Sequence, residues 1–235
     1  ILSPDALTAL EIANFIRAPG VLASEDFGRG LVQLRQIRVP ASSQVGGRSL
    51  KDLIPPGSGV LVGVAERKGK SIIPHGDYVV ETGDHLTLIG LKEKIGAVQR
   101  LFLPEEEKVN RVAIMGGGTM CFRLANAISG QVKSVKIFER NEPRAQELAQ
   151  KLEKVKVVCR DGASRSALEQ EHIDTVDVFV AGTRDDERNI MAGVLAKEVG
   201  AKTVITVVHQ PDFAPLVTRL GISLAVTPRA CMANR

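Results

Sequence analysis

Residues 111–121 read RVAIMGGGTMC, and this stretch decides the fold. The apolar segment RVAIM (111–115) predicts a buried strand, and TMCFRLANAIS (119–129) spaces its apolar residues like a helix. Three consecutive glycines between them indicate a backbone that approaches a bulky, anionic group at a helix N-terminus. Gly116 permits the tight turn, and Gly118 removes the Cβ that would block a phosphate. In the pattern G-x-G-x-x-G the third glycine would stand at Cys121.

A carboxylate supports this interpretation. Glu139 lies near the end of the second predicted strand, SVKIFER (134–140), and follows Gly118 by 21 residues. At that place a carboxylate accepts hydrogen bonds from both hydroxyls of an adenosine ribose. It repels a 2′-phosphate, so NADP is disfavoured, although Arg140 stands beside it. The combination predicts adenine-nucleotide binding; the alternative is that the glycines serve packing and Glu139 is solvated.

Strands and helices alternate from residue 109 onward. This alternation predicts an α/β fold with a Rossmann-like, doubly wound parallel sheet of six strands and five helices. The predicted strands are 111–115, 134–140, 154–159, 175–182, 202–208 and 222–227, and the predicted helices are 119–129, 142–152, 163–173, 187–200 and 212–221.

The first part of the chain has a different pattern of predicted strands and helices. Residues 28–103 predict a small α+β domain, with strands at 31–40, 60–67 and within 77–90 and a closing helix at 92–102. The acidic run 104–108 reads as a linker. Before the α+β domain, residues 5–17 are spaced like an amphipathic helix, with Ser3 as its N-cap and Pro4 at the first helical position.

Composition excludes several classes of protein. The chain has 235 residues, of which 44% are hydrophobic and 25% charged, and no apolar run is long enough to span a bilayer. A net charge of +4, one Tyr and no Trp argue against nucleic-acid binding. Three well-separated cysteines indicate neither a disulfide framework nor a zinc site, and a reducing cytoplasm fits them best.

A weak internal repeat links the two ends of the chain. LSPDALTAL (2–10) aligns with VTPRACMAN (226–234), each where a last strand should pass into a helix. We therefore expect the whole protein to repeat a unit of about 224 residues, which is 228 minus 4 from the two aligned prolines. On this hypothesis the chain starts at the tail of one copy and stops just short of the tail of the next.

With RDGA (160–163) and TRDDERN (183–189) also in view, the chain resembles the RCK/KTN-type regulatory subunits of Trk potassium uptake systems, the TrkA family. Residues 109–235 resemble an RCK-N (TrkA-N) domain and residues 28–103 an RCK-C (TrkA-C) domain. Residues 1–27 resemble the C-terminal helices of a preceding RCK-N repeat. The family carries two such N–C pairs in tandem, which agrees with the repeat.

The resemblance implies a cytoplasmic, non-catalytic subunit that binds NAD(H) or ATP/ADP. It implies a homo-oligomer, dimer or tetrameric ring, on the inner face of the plasma membrane beneath a membrane-embedded potassium-translocating subunit. Nucleotide exchange would change the geometry of the assembly and so gate transport.

The resemblance also implies the ligand-binding residues. Carried onto this chain, the phosphate loop consists of Gly116, Gly117, Gly118, Thr119 and Met120. The ribose and adenine would be bordered by Glu139, Arg140, Asp161 and Gly162. The far end of the ligand would be lined by Ala181, Gly182, Thr183 and Arg184. Cys121 and the RDGA stretch depart from the family pattern, which implies weak binding or a preference for ATP/ADP over NAD.

Two alternatives remain open from the residues alone. One is an NAD-dependent oxidoreductase with residues 28–103 as its substrate domain, and the other is a dimerisation module with a degenerate site. Against catalysis, the four histidines show no paired spacing, and His209, at the predicted binding edge, lacks a partner carboxylate in the sequence pattern. Asp185 and Asp186 read as helix caps rather than metal ligands. No catalytic or metal-binding residue is predicted.

Overall fold

The structure is a computed structural model that describes residues 3–40, 42–67, 69–103 and 108–228. The chain forms two compact units, one made of residues 1–17 with 108–235 and the other of residues 18–107. Of the predicted linker, residues 104–107 lie outside the described part of the chain. No helix in the described ranges combines the length and the apolar character needed to cross a membrane.

The unit with the glycine loop is built on a six-stranded parallel sheet. Its elements are β6 (Arg111–Met115), α4 (Thr119–Ile128), β7 (Ser134–Phe138), α5 (Glu142–Lys151), β8 (Val155–Val158), α6 (Arg165–Gln170), β9 (Val178–Ala181), α7 (Asp186–Val199), β10 (Thr203–Val207), α8 (Phe213–Arg219) and β11 (Leu224–Val226). The predicted alternation of six strands and five helices is confirmed. The strand order in the sheet is β11-β10-β9-β6-β7-β8, and each neighbouring pair is parallel.

The sheet is buried on both faces, as parallel sheets are. Along β6, Val112 and Ile114 enter the core beneath α4 and α5, and Ala113 and Met115 enter the opposite core. That second core includes residues of α6, α7 and α8. This two-sided burial explains why the strands read as nearly continuous Val/Ile runs.

The N-terminal helix α1 (Pro4–Arg17) completes the first of these cores. It begins at Pro4 as predicted, with the hydroxyl of Ser3 accepting from the Ala6 N–H at 3.3 Å. It packs against α4, and its fully buried Ile12 lies in the same apolar cluster as Leu124. The helix therefore belongs physically to the unit with the glycine loop. Its assignment to a preceding repeat stays a prediction.

The other unit is an antiparallel sheet with a helix packed on it. Its elements are β1 (Val21–Phe27), β2 (Val32–Arg38), α2 (Leu50–Leu53), β3 (Val60–Arg67), β4 (Lys70–Ile72), β5 (His85–Leu91) and α3 (Lys92–Phe102). The strand order is β1-β2-β5-β3-β4, and α3 packs on the sheet.

The prediction that residues 1–27 form helices is wrong for residues 21–27. They form a strand that pairs with residues 32–37, because backbone pairing across the turn at 28–31 satisfies their N–H and C=O groups. The short strand at 70–72 is also absent from the sequence-based prediction.

A buried carboxylate ties the turn before β5 to β3. Asp84 is fully buried and accepts from Arg67 Nε at 2.7 Å, from the Tyr78 hydroxyl at 2.9 Å and from the Glu81 N–H at 2.9 Å. Burial by itself raises the pKa of Asp84, but these hydrogen bonds, led by that from Arg67, outweigh it and hold the pKa below its ordinary value. The carboxylate is therefore ionised and fully paired.

We expect Asp84→Ala to lower the free energy of unfolding of this unit by about 3–5 kcal/mol, because it leaves the Arg67 charge without its buried partner. The contribution of Asp84 is complete above the ordinary aspartate pKa of about 3.9, and it is lost as the pH falls through the lower folded-state pKa. Denaturant unfolding at neutral and acid pH measures both effects. The control is Glu81→Ala, which removes an exposed ion pair to the same arginine and should cost at most about 1 kcal/mol. Equal losses in the two variants would contradict the assignment.

Candidate functional site

The site is the crevice at the carboxyl edge of the parallel sheet. The central strand β6 has β7 on one side and β9 on the other, so the chain leaves it in opposite directions and opens a crevice there. Two hollows occupy this edge. The β10-side lobe, of about 500 Å³, is lined by the glycine loop, Arg144 and His209, among others. The β8-side lobe, of about 320 Å³, is lined by Glu139, Asp161 and their neighbours, and both lobes share Gly116, Thr183 and Arg184.

The glycine loop has the geometry that its sequence predicts. Gly116 has φ of +112°, a left-handed conformation that favours glycine. The N–H of Gly117 donates to Glu139 Oε2 at 2.8 Å, and a Cβ on Gly117 would lie 2.4 Å from that oxygen. A Cβ on Gly118 would instead meet no atom within 4 Å. Gly117 therefore permits close approach to Glu139, and Gly118 keeps the lobe open.

Beyond Gly118 the chain enters α4 with unsatisfied donors. Gly118 is the N-cap, and its carbonyl accepts from the Phe122 N–H at 2.9 Å. The N–H groups of Gly118, Thr119 and Met120 make no hydrogen bond within the described ranges. A ten-residue helix adds the positive end of its dipole at this point. The arrangement suits a phosphate group.

Cys121 stands where the pattern G-x-G-x-x-G has its last glycine. Its side chain is fully buried, and its Sγ lies 3.2 Å from the carbonyl oxygen of Gly182. A Cβ on Gly182 would lie 2.7 Å from that sulfur, so a glycine on β9's side makes room for the cysteine on α4. Burial raises the pKa of the Cys121 thiol to about 12, which keeps it neutral. The cysteine at this position is thus accommodated in the core below the loop, next to Gly182.

Glu139 lies where the sequence predicts the ribose-binding acid. Besides the Gly117 N–H, its carboxylate accepts from the Asn141 N–H at 2.8 Å. Arg144, in the first turn of α5, was not predicted as a site residue. Its Nε donates to the carbonyl oxygen of Gly117 at 2.8 Å, and its guanidinium pairs with Glu147. The sequence signal was a basic residue five positions after Glu139.

In the β8-side lobe, Asp161 is joined to a residue that the sequence analysis missed. Its carboxylate accepts from the Ala163 N–H at 2.9 Å and pairs with Arg188 of α7. Burial raises its pKa, but the Ala163 N–H and Arg188 together bring the pKa below its ordinary value. Gly162 and Arg140 line the same lobe, as the resemblance implies.

The first turn of α7 holds two loops of the crevice. The Asn189 side chain is fully buried; its Oδ1 accepts from the Thr183 N–H at 2.9 Å, and its Nδ2 donates to the Val207 carbonyl at 2.9 Å. Asp185 is the helix N-cap, as predicted, and accepts from the Arg188 N–H at 3.0 Å. The TRDDERN stretch thereby fixes the ends of β9 and β10 in one place.

Asp186 is not a helix cap, in contrast to the prediction. Its carboxylate accepts from the N–H groups of His209 and Gln210, each at 2.9 Å, and lies 2.8 Å from His209 Nδ1. Burial raises the pKa of Asp186, but the hydrogen bonds from His209 and Gln210 outweigh it and lower the pKa overall. The expectation that His209 lacks a partner carboxylate is therefore wrong, because the turn after β10 brings it to α7.

Most residues that the resemblance implies line one of the two lobes, but Ala181 does not. Its side chain is fully buried in the core below the loop. Arg184 is exposed, lines both lobes and makes no hydrogen bond or ion pair within the described ranges. No cluster of His, Cys, Asp and Glu in the described part of the chain could hold a metal ion. The crevice therefore combines backbone donors at the start of α4, unpaired within the described residues, with Arg184, a basic residue that lines both lobes.

The chain matches two protein-family models and several curated proteins. A family model described as the TrkA-N domain matches residues 112–228, and one described as the TrkA-C domain matches residues 34–103. The chain is 31% identical over 235 residues to Trk system potassium uptake protein trkA homolog 1 of Methanosarcina mazei, covering all of this chain and 58% of that protein. It is 34% identical over 231 residues to Trk system potassium uptake protein TrkA of Halomonas elongata, covering 97% of this chain and 50% of that protein.

The chain therefore spans about half the length of the curated relatives that it matches. Among solved structures, the GsuK RCK domain superposes with a TM-score of 0.69 at 18% identity, covering 98% of this chain and 50% of that one. The GsuK channel bound to NAD gives a TM-score of 0.68 at 18% identity, covering 97% of this chain and 41% of that one. These likenesses show the fold. With a TrkA-C domain followed by a TrkA-N domain, the chain belongs to the TrkA family.

Proposed function

We propose that the chain is part of a cytoplasmic regulatory subunit that binds an adenine nucleotide, NAD(H) or ATP/ADP, in the crevice of its parallel sheet. One observation carries the proposal. Glu139 holds the Gly117 N–H at 2.8 Å, while the next amides at the start of α4 make no hydrogen bond within the described ranges. A carboxylate for a ribose therefore stands next to donors for a diphosphate.

The two lobes divide the ligand between them. The adenosine lies in the β8-side lobe, where Glu139, Arg140, Asp161 and Gly162 form its walls. The diphosphate lies at the start of α4, and the remainder of the ligand extends into the β10-side lobe. The GsuK channel has the same fold and is bound to NAD in a solved structure, which supports a nucleotide as the ligand.

We infer that the subunit acts by binding and not by catalysis. In the β10-side lobe His209 is paired with Asp186, but Asp186 is also committed to two backbone N–H groups. Such a carboxylate holds a loop in place. An oxidoreductase remains the alternative, and absorbance of the reduced nicotinamide with a panel of alcohols and acids distinguishes it.

The proposed partners are a membrane-embedded potassium-translocating subunit and further copies of this chain, in a dimer or tetrameric ring. The names of the curated relatives support the first. The unit of residues 18–107 supports the second, since it exposes Leu61, Ile72, Ile73 and Val79 on and beside β3 and β4. Such exposed aliphatic side chains are candidates for burial in an interface, and a second copy offers the same side chains.

We expect Glu139→Ala to lower the affinity for ADP and for NAD at least about tenfold, because charge-assisted hydrogen bonds contribute about 1.5–3 kcal/mol. Isothermal titration calorimetry measures both affinities. The control is Glu142→Ala, an exposed carboxylate in the first turn of α5 that lines neither lobe. Unchanged affinity in Glu139→Ala would contradict the placement of the ribose in the β8-side lobe.

We expect Gly118→Ala to leave the thermal midpoint unchanged and to lower nucleotide affinity at least about tenfold, or about 1.4 kcal/mol. Its φ of −69° and ψ of 175° suit alanine, but the new methyl group would enter the space that we assign to a phosphate. Gly130→Ala is the matched control, because a Cβ there also meets no atom within 4 Å. Equal affinity in the two variants would contradict a phosphate at the start of α4.

Nucleotide exchange would gate potassium uptake by favouring one arrangement of the subunits. A ligand shifts such an equilibrium only by its difference in affinity for the two states, commonly about 1–3 kcal/mol. In the complete transporter reconstituted in liposomes, we expect potassium flux to differ between bound nucleotides and Glu139→Ala to abolish the difference. Potassium flux that is the same with each adenine nucleotide and without any would contradict the regulatory role.

A further inference from the structure

His209 has a defined orientation in the β10-side lobe. Its Nδ1 lies 2.8 Å from Asp186 Oδ1, and the backbone N–H groups of His209 and Gln210 donate to the same carboxylate. The Asp186 side chain is only 8% exposed, whereas that of His209 is 42% exposed. The carboxylate is therefore fixed, and the imidazole is fixed by it while still reaching the lobe.

The pairing determines what the imidazole can offer to a ligand. A carboxylate at Nδ1 accepts a proton from that nitrogen, so the ring carries its hydrogen on Nδ1 and presents Nε2 on its far side. His209 Nε2 makes no hydrogen bond within the described part of the chain. Without a proton this nitrogen accepts a hydrogen bond, and with a proton it donates one.

The other charged groups of the lobe favour an anion there. Arg184 enters from the loop after β9, and Arg144 enters from α5 while bound to the Gly117 carbonyl and Glu147. Asp5 of α1 is the opposing carboxylate in the lining. Among the described residues, these are the charged residues that line the lobe with His209, and Asp186 contacts the imidazole directly.

We propose that His209, oriented by Asp186, binds the third phosphate of ATP and takes up a proton as it does so. The inference rests on the proposed function, since the glycine loop must hold the first two phosphates for the third to extend toward β10. ADP has no third phosphate, and NAD continues from its diphosphate with a ribose and a nicotinamide. His209 therefore distinguishes ATP from both.

The test is isothermal titration calorimetry of the 235-residue chain with Mg²⁺-free ATP, ADP and NAD, in two buffers of different ionisation enthalpy. The variants are His209→Gln and, as the matched control, His75→Gln, an exposed histidine of the other compact unit. We expect His209→Gln to weaken ATP about tenfold at pH near 6.5, the usual effect of a charge-assisted hydrogen bond, and to change ADP and NAD less than about twofold.

Proton uptake gives a second readout that a loss of packing would not change. We expect wild-type protein to take up more protons than His209→Gln on binding ATP, and the difference between the two proteins removes the ligand's own protonation. ATP affinity should also rise as the pH falls, because binding that takes up a proton is favoured at lower pH. Asp186→Asn should also reduce the uptake; full uptake in that variant would overturn the part assigned to Asp186.

The outcomes separate the two proposals. If wild-type protein binds nucleotides and His209→Gln weakens ATP alone, the inference holds. If His209→Gln weakens all three ligands equally, or none, the inference is overturned and nucleotide binding stands. If wild-type protein binds no adenine nucleotide, both are overturned.

Discussion

The hydrogen bond from the Gly117 N–H to Glu139 is the interaction on which the site depends. It joins the loop after β6 to the end of β7, and it requires glycine at 117 because a Cβ would collide with the carboxylate oxygen. The next three amides of the loop make no hydrogen bond within the described residues. A carboxylate thus lies beside a helix N-terminus, and this is the arrangement to which we assign a sugar and a phosphate.

The first turn of α7 has a matching role on the other side of the crevice. Asn189 fixes the end of β9 through Thr183, and Asp186 fixes the end of β10 through His209. Both polar side chains are buried or nearly so, and each is satisfied by the loops it holds. Thr183 and His209 are therefore both held by the first turn of α7.

Local features of the sequence were sufficient for the fold and for half of the site. The strand at 111–115, the helix after it and the acid at Glu139 were predicted in place because strand period, glycine spacing and helix capping are properties of neighbouring residues. The strand at 21–27 was missed, since its residues are polar at several positions and only pairing with β2 makes it a strand. Ala181 was placed in the crevice although its side chain faces the core.

The sequence by itself determined the parallel sheet, the glycine loop and the place of Glu139 at the end of β7, because each depends on residues close together in the chain. Only the tertiary structure decided that Asp161 pairs with Arg188, that Asp186 binds His209 and that α1 packs on α4. These partners are 23 or more residues apart, and no local pattern specifies which strand ends will meet. The physical reason is that the pairing of the parallel strands, and not the order of residues in the chain, brings the loops after β8, β9 and β10 to one edge of the sheet.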